Sequence, residues 1–457
     1  MRPLFFLVFC LPFMAQAQVN QDSVAIKKMA DEIMTNGTAY DLLRELTKKI
    51  GGRLAGSPQQ QNAAIWGKRN LEAMKPDKVY MQPCKTPNWQ RGGKDFAAIV
   101  GVNGKPTNQK LEALALGNSL SSNGLVEADV LAVANFDELE KRKDEVKGKI
   151  VYYHSEFDPT FIQTFKAYSA AGTYRGTGAS RAAKYGAVGV MIHSLSTAPD
   201  NAPHTGGMKY DSAYPKIPAV ALGPNDAKAL YAKAKKGTLR AQIQTYGFFL
   251  PDADENNVVA EIKGSEFPNE IITVGGHLDS WDVNEGAHDD GAGIVQTMEV
   301  LRAMKALNYQ PKHTIRFVLF ANEENGGKGG AKYAELAKLN KEKHILALES
   351  DAGGFTPRSI GVGTTPAQLA YFQKWTPLLK PYGTEVTAGG GGADIGPLTG
   401  YDKNIVMSSL IPDSQRYFDL HHAKTDVFEN VNKRELLLGA VNIAAFIYLV
   451  DQHGVNP

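Results

Sequence analysis

Histidine and carboxylate side chains recur at five places in the second half of this 457-residue chain, each after an apolar run, in a nearby loop or at the mouth of a helical segment. His277 and Asp279 close the stretch IITVGGHLD, Glu323 and Glu324 follow TIRFVLFA, and Asp351 follows HILALES. His421, His422 and Asp426 sit in a later loop. Asp289 and Asp290 stand at the mouth of a further helical segment, whose Gly291 and Gly293 let backbone come close. Imidazole nitrogen and carboxylate oxygen together suit zinc, with cobalt or manganese as substitutes. Two ions about 3.5–4 Å apart need one carboxylate between them and more donors on each side. Adjacent acids at the end of a buried strand are costly unless a cation compensates them. One of Glu323 and Glu324 would then ligate while the other serves the attacking water as general base. Singly, each residue has a plainer reading, as a structural histidine or a solvated loop acid. Jointly, at successive ends of one sheet, they point to metal-assisted hydrolysis.

The elements that must position these groups can be read from the apolar pattern. Strands are expected at 258–262, 271–275, 314–319 and 345–348, and helices at 291–308, 327–338, 366–379 and 433–450. Ile294, Met298, Leu301 and Met304 fall at helical spacing. The alternation predicts an α/β fold, a central mostly parallel or mixed sheet flanked by helices. In such a sheet, functional groups gather beyond the carboxyl ends of the strands. Upstream, residues 22–50 read as two short helices, and Ser57-Pro58 opens a third that runs to about Met74. Short strands follow at 78–82 and 96–100. Between 120 and 246 the rhythm changes, with strands at 150–153, 188–192, 217–222 and 239–246 and a helix over 224–235. This segment reads as a domain inserted into the larger unit. The expected division is 1–17, 18–119, 120–246 and 247–457.

The first of these divisions is a leader. Arg2 precedes the apolar run Leu4 to Met14, and Ala15-Gln16-Ala17 is a small-x-small site, so a secretory signal peptide cleaved after Ala17 is expected. The run of about 11 residues is too short to span a bilayer. The product would be secreted or periplasmic, with no stable membrane insertion. Cleavage would leave Cys84 as the one cysteine, which cannot form an intrachain bridge and reads as inert. A net charge of +2 with 21% charged residues gives no electrostatic reason to expect nucleic acid.

The motifs GGRLAGSP (51–58), HLDSWD (277–282), HDDGAG (288–293), ANEENGGKGG (321–330), ESDAGG (349–354), GGADIGPL (391–398) and HHAKTD (421–426) cover nearly all the mature chain. In kind and order they resemble peptidase family M28, the co-catalytic zinc aminopeptidase family, and within it the carboxypeptidase Q subgroup. The resemblance implies a zinc-peptidase fold carrying a protease-associated domain at 120–246. It implies two zinc ions, one held by His277 and Asp351, the other by Glu324 and His422, with Asp289 bridging. His421 is the fallback for His422. Glu323 would be the general base, and Asp279 would orient His277 through its other ring nitrogen. His288, unusual before the bridging aspartate, is expected to pack or to support the site, and Gly389 to Gly392 to give close access beside a substrate cleft. Trp281 has two readings, cleft wall or core. The implied activity is exopeptidase action on dipeptides or short peptides, with a broader aminopeptidase of longer peptides as the alternative and a homodimer as the implied assembly.

Overall fold

The structure, a computed structural model, describes residues 11–456, with side chains from Gln21 onward. Among these, sixteen strands form two eight-stranded sheets. Strand β1 (Lys78–Gln90) belongs to the first sheet. The next eight build the second: β2 (Phe96–Val102), β3 (Lys105–Leu111), β4 (Ala113–Ala115), β5 (Val126–Val133), β6 (Ile150–Tyr153), β7 (Gly189–His193), β8 (Ala219–Leu222) and β9 (Leu239–Gln244). The chain then returns to the first sheet with β10 (Phe248–Ile262), β11 (Phe267–His277), β12 (His313–Phe320), β13 (Lys343–Glu349), β14 (Pro357–Gly363), β15 (Glu385–Ala388) and β16 (Val406–Pro412).

The first sheet runs β1-β10-β12-β11-β13-β16-β14-β15 and is mixed. Its centre, β12-β11-β13-β16, is parallel, and β10 and β14 pair antiparallel at its flanks. Successive side chains of a strand point to opposite faces. Ile315, Phe317 and Leu319 join the core under helices Ala292–Ala306 and Lys433–His453, while Val318 and Phe320 pack against Tyr333 and Ala337 of helix Lys328–Asn340. Coverage of both faces is why TIRFVLF reads as a continuous apolar run. Helix Lys433–His453 is long and apolar enough to cross a membrane, but 83% of its apolar window is buried inside the protein.

The expected start signal at Ser57 is realised: its Oγ accepts the Gln60 N–H at 3.1 Å as helix Pro58–Ala73 begins. Other details differ from the sequence reading. The helix expected over 366–379 is two, Pro366–Gln373 and Thr376–Leu379, because Pro377 has no N–H to continue the first. Strands β14, β15 and β16 were not anticipated. The second sheet begins at Phe96, ahead of the boundary expected at 120. Of the expected leader, residues 1–10 lie outside the described residues, and helix Leu11–Asn36 begins within the rest.

Candidate metal centre

The parallel strands deliver their chemistry at one edge. β11 ends at His277, which is 1% exposed. β12 ends at Phe320, and Asn322 then takes a left-handed turn (φ 60°) that an asparagine tolerates well, turning Glu323 and Glu324 out of the strand. β13 leads through Glu349 and Ser350 to Asp351. Asp289 sits just before helix Ala292–Ala306, and His422 comes from the loop before the final helix.

Asp289 stands between two imidazoles. Its Oδ1 lies 3.2 Å from His277 Nε2, and its Oδ2 lies 3.2 Å from His422 Nε2. Asp351 Oδ1 is 3.4 Å from His277 Nε2, and Glu324 Oε2 is 2.9 Å from His422 Nε2. Donors 2.0–2.2 Å from a tetrahedral ion stand about 3.3–3.6 Å apart, close to these separations. Asp289 Oδ2, Glu324 Oε1 and Asp351 Oδ1 are buried without a hydrogen bond. Buried carboxylate oxygens left without donors are expensive, and cations would relieve them. The residues present therefore fit two metal ions that share Asp289.

The electrostatics agree. Against burial, which lowers it, Asp351 and Asp289 hold the His277 imidazole well above its usual range, and Glu324 and Asp289 do the same for His422. Burial first, then the nearby Asp351 and Glu324, pushes Glu323 well above the ordinary carboxylate range despite the opposing effect of His277. Burial followed by Asp289 raises Glu324 to about 7. Too many carboxylates share too little solvent for all to ionise without a compensating positive charge.

His421 and His422, and likewise Asp289 and Asp290, differ in their surroundings, although each of the four belongs to a group that could hold a metal ion. His421 stacks on His422 with ring centroids 3.5 Å apart, and its Nε2 is 3.7 Å from Asp289 Oδ2, farther than that of His422. The Nδ1 of His422 faces the Thr205 carbonyl at 3.3 Å, which suits an N–H there and a free lone pair on Nε2. Asp290 lies near His277 and Asp351, yet its oxygens accept the N–H groups of His277 and Gly293, both at 3.0 Å. It ties strand end to helix start.

Asp279 departs from expectation. His277 Nδ1 meets the backbone carbonyl of Asp279 at 3.0 Å, whereas the carboxylate stands 3.8 Å away. That carboxylate accepts the N–H groups of Glu323 (3.0 Å) and Glu324 (3.3 Å) instead. It positions the glutamate pair by their backbone, because the turn after β12 needs acceptors for its freed donors. His288 packs: its ring stacks on Phe355 at 4.2 Å and its Nδ1 accepts from Gly354 N. Trp281 is core, fully buried and edge-on to Trp89 and His422. Burial pushes the Cys84 thiol up to about 12, consistent with an inert residue.

Three side chains support the site in ways the sequence does not announce. Asp426 accepts the N–H groups of His288 (2.7 Å) and Asp289 (3.1 Å) and so fixes the backbone at Asp289. Arg53 is fully buried and donates to the carbonyls of Leu278, Glu285 and Gly286, clamping the loop between His277 and Asp289. Glu349 accepts from Asp394 and Ile395 and meets the glycine loop, where any side chain at Gly392 would strike it. Only the GGRLAGSP motif hinted at Arg53, and nothing marked its partners as backbone carbonyls.

Glu323, Glu324, Asp289, Asp351 and His422 line a cavity of about 490 Å³, walled on the far side by Tyr168 and Arg175 of the second sheet's helix Thr164–Ala183. A neighbouring cavity of about 730 Å³ shares Asp351 and Phe165 with it and is lined by Gly389 to Gly392. Peptidase family M28 matches residues 257–447. Carboxypeptidase Q of Bos taurus is 34% identical over 416 residues, covering 90% of this chain and 85% of that protein. The chain belongs to peptidase family M28. A crystal structure of a peptidase M28 precursor from Shewanella amazonensis SB2B is similar at 30% identity and a TM-score of 0.89, covering 96% of this chain and 98% of that one. BSAP, a zinc aminopeptidase from Bacillus subtilis, shares the fold at 20% identity and a TM-score of 0.64, covering 90% and 94% of the two chains. This M28 member is a metal-dependent exopeptidase whose substrates are peptides.

Proposed function

We propose that the protein is a di-zinc exopeptidase that splits dipeptides and short peptides, with Glu323 as general base. The observation that carries this reading is the placement of Asp289, one oxygen toward each imidazole, in a cavity that Glu323 also lines. His277 and Asp351 would hold one zinc, Glu324 and His422 the other, and Asp289 both, with cobalt or manganese as substitutes. Zinc bound there would polarise the peptide carbonyl and acidify water. Glu323 receives a proton from the attacking water and passes it to the departing amine. Asp279 keeps Glu323 in place through the backbone N–H, and Asp426 does the same for Asp289.

Metal analysis joined to dipeptide turnover tests this. Glu323→Gln should cut kcat by about 10²–10⁴ while two metals per chain are retained. Unchanged turnover would remove Glu323 from the role. The second cavity beyond Asp351 favours a second reading, an aminopeptidase of longer peptides. Comparing a dipeptide, its amino-blocked form and a pentapeptide separates the two.

The same proposal takes the second sheet as a protease-associated insert, supported by its position between β1 and β10 of the catalytic sheet. Export after cleavage at Ala17, supported by the leader-like N-terminus, completes it, together with the homodimer that the family resemblance implies.

A further inference from the structure

The wall opposite the metal centre carries a cation with no counter-charge. Arg175 lines the same cavity as Glu323 and Asp289, and among the described residues no carboxylate lies within ion-pair reach of it. Its Nη2 donates to Tyr168 Oη at 2.6 Å, with the tyrosine ring beneath the guanidinium at 5.1 Å. Its Nη1 stands 3.5 Å from His422 Nδ1, a nitrogen already turned toward the Thr205 carbonyl, so two donors face each other there. Its Nε is buried without a partner. The position is built: Gly206 (φ 135°) leaves the room, and a Cβ there would come within 2.5 Å of Arg175 Nη1. A guanidinium offers five donors in a planar fork matched to a carboxylate, and most of these have no acceptor.

We infer that Arg175 binds the carboxylate terminus of the substrate, making dipeptides with a free C-terminus the preferred class. This rests on the peptidase reading above. The guanidinium lies one imidazole ring from the position His422 would ligate, on the side away from Asp289. A peptide whose scissile carbonyl sits over Asp289 and Glu323 would carry the carboxylate of its next residue toward that wall. Apart from the imidazoles and exposed Lys209 at its rim, the cavity's other titratable groups are acids and tyrosines, so half-buried Arg175 is the better-shielded cation for a terminal carboxylate. A C-terminal amide or a longer chain would leave the fork unpaired.

The test compares kcat/KM for a dipeptide and for the same dipeptide with a C-terminal amide, in wild type, Arg175→Ala and Arg175→Lys. Wild type should favour the free acid by about 10- to 100-fold, the size expected of hydrogen bonds to a charged group. Arg175→Ala should bring that ratio close to one, mostly by raising KM for the free acid, with a much smaller change for the amide. Arg175→Lys, which keeps the charge and loses the fork, should fall between. If Arg175 only props His422, both substrates would fall by the same factor in Arg175→Ala and the inference would be overturned. A wild-type ratio near one would overturn it without any variant, so a misfolded variant does not protect it. A metal-loaded wild type that cleaves neither substrate would sink the peptidase reading itself, a different outcome from cleaving both equally.

Discussion

The two eight-stranded sheets are alike in size and unlike in what they present to the shared cavity. The first ends its parallel strands in His277, Glu323, Glu324 and Asp351, beside Asp289, and buries further acids at Asp279, Asp290, Glu349, Asp394 and Asp426. The second contributes Arg175, Lys209 and the Thr205 carbonyl. One unit carries the clustered imidazoles and carboxylates, and the other adds cationic side chains to the wall of the same cavity. Their packing reflects this. The insert's core is apolar and aromatic, with Val190, Ile192 and Tyr153 between its sheet and helix Thr164–Ala183, whereas the catalytic sheet spends much of its edge holding charge.

The comparison can be broken most severely at Asp289. Asp289→Ala should lose bound metal and reduce turnover to background, read by elemental analysis and peptide hydrolysis, since both proposed ions would share this residue. His422→Ala should lose about one metal per chain and nearly all turnover, while His421→Ala keeps both metals; equal losses would return His421 to the ligand set. Asp426→Asn, which weakens the hold on the Asp289 backbone, should cost about 10–100-fold in metal affinity or activity. Ile192→Ala in the insert core should lower stability by about 2–5 kcal/mol in denaturant titration, yet leave metal content unchanged.

The smallest effect concerns pH and again falls on the first sheet. Burial raises Glu255 on β10 from 4.5 to about 8. The unfolded chain then binds fewer protons than the folded one across that window. Stability should fall as pH rises from about 4.5 to 8, by at most about 1.4 kcal/mol per pH unit from this group. Glu255→Gln should flatten the slope in chemical denaturation, and an unchanged slope would remove Glu255 as its source.

Strands with a strong local signature were legible. β12, β13 and the second halves of β10 and β11 are apolar runs buried on both faces, and the helix opened by Ser57-Pro58 carries its own cap. β16 was not, because VMSSLIP breaks the apolar run. Ser408 is tolerated there since its hydroxyl donates to the Gly361 carbonyl at 2.8 Å, a partner on the neighbouring strand β14. The same reason hid the partners of Asp279 and Arg53. Their partners are backbone N–H and C=O groups brought in from elsewhere in the chain, and no residue type at a fixed spacing announces a backbone acceptor.

By itself the sequence determined the donor chemistry: which imidazoles and carboxylates exist, that they follow strand ends, and that an acid is left over to move a proton. Those follow from residue type and from the periodicity of local structure. The family resemblance already preferred Asp289 and His422; only the tertiary structure gave the distances, with Asp289 facing both histidines, Asp290 turned to backbone N–H groups, His422 between Asp289 and Glu324, and Arg175 in the same cavity without a carboxylate partner. Coordination and ion pairing change over tenths of an ångström, and distances on that scale are set by sheet register and by packing between segments far apart in the chain.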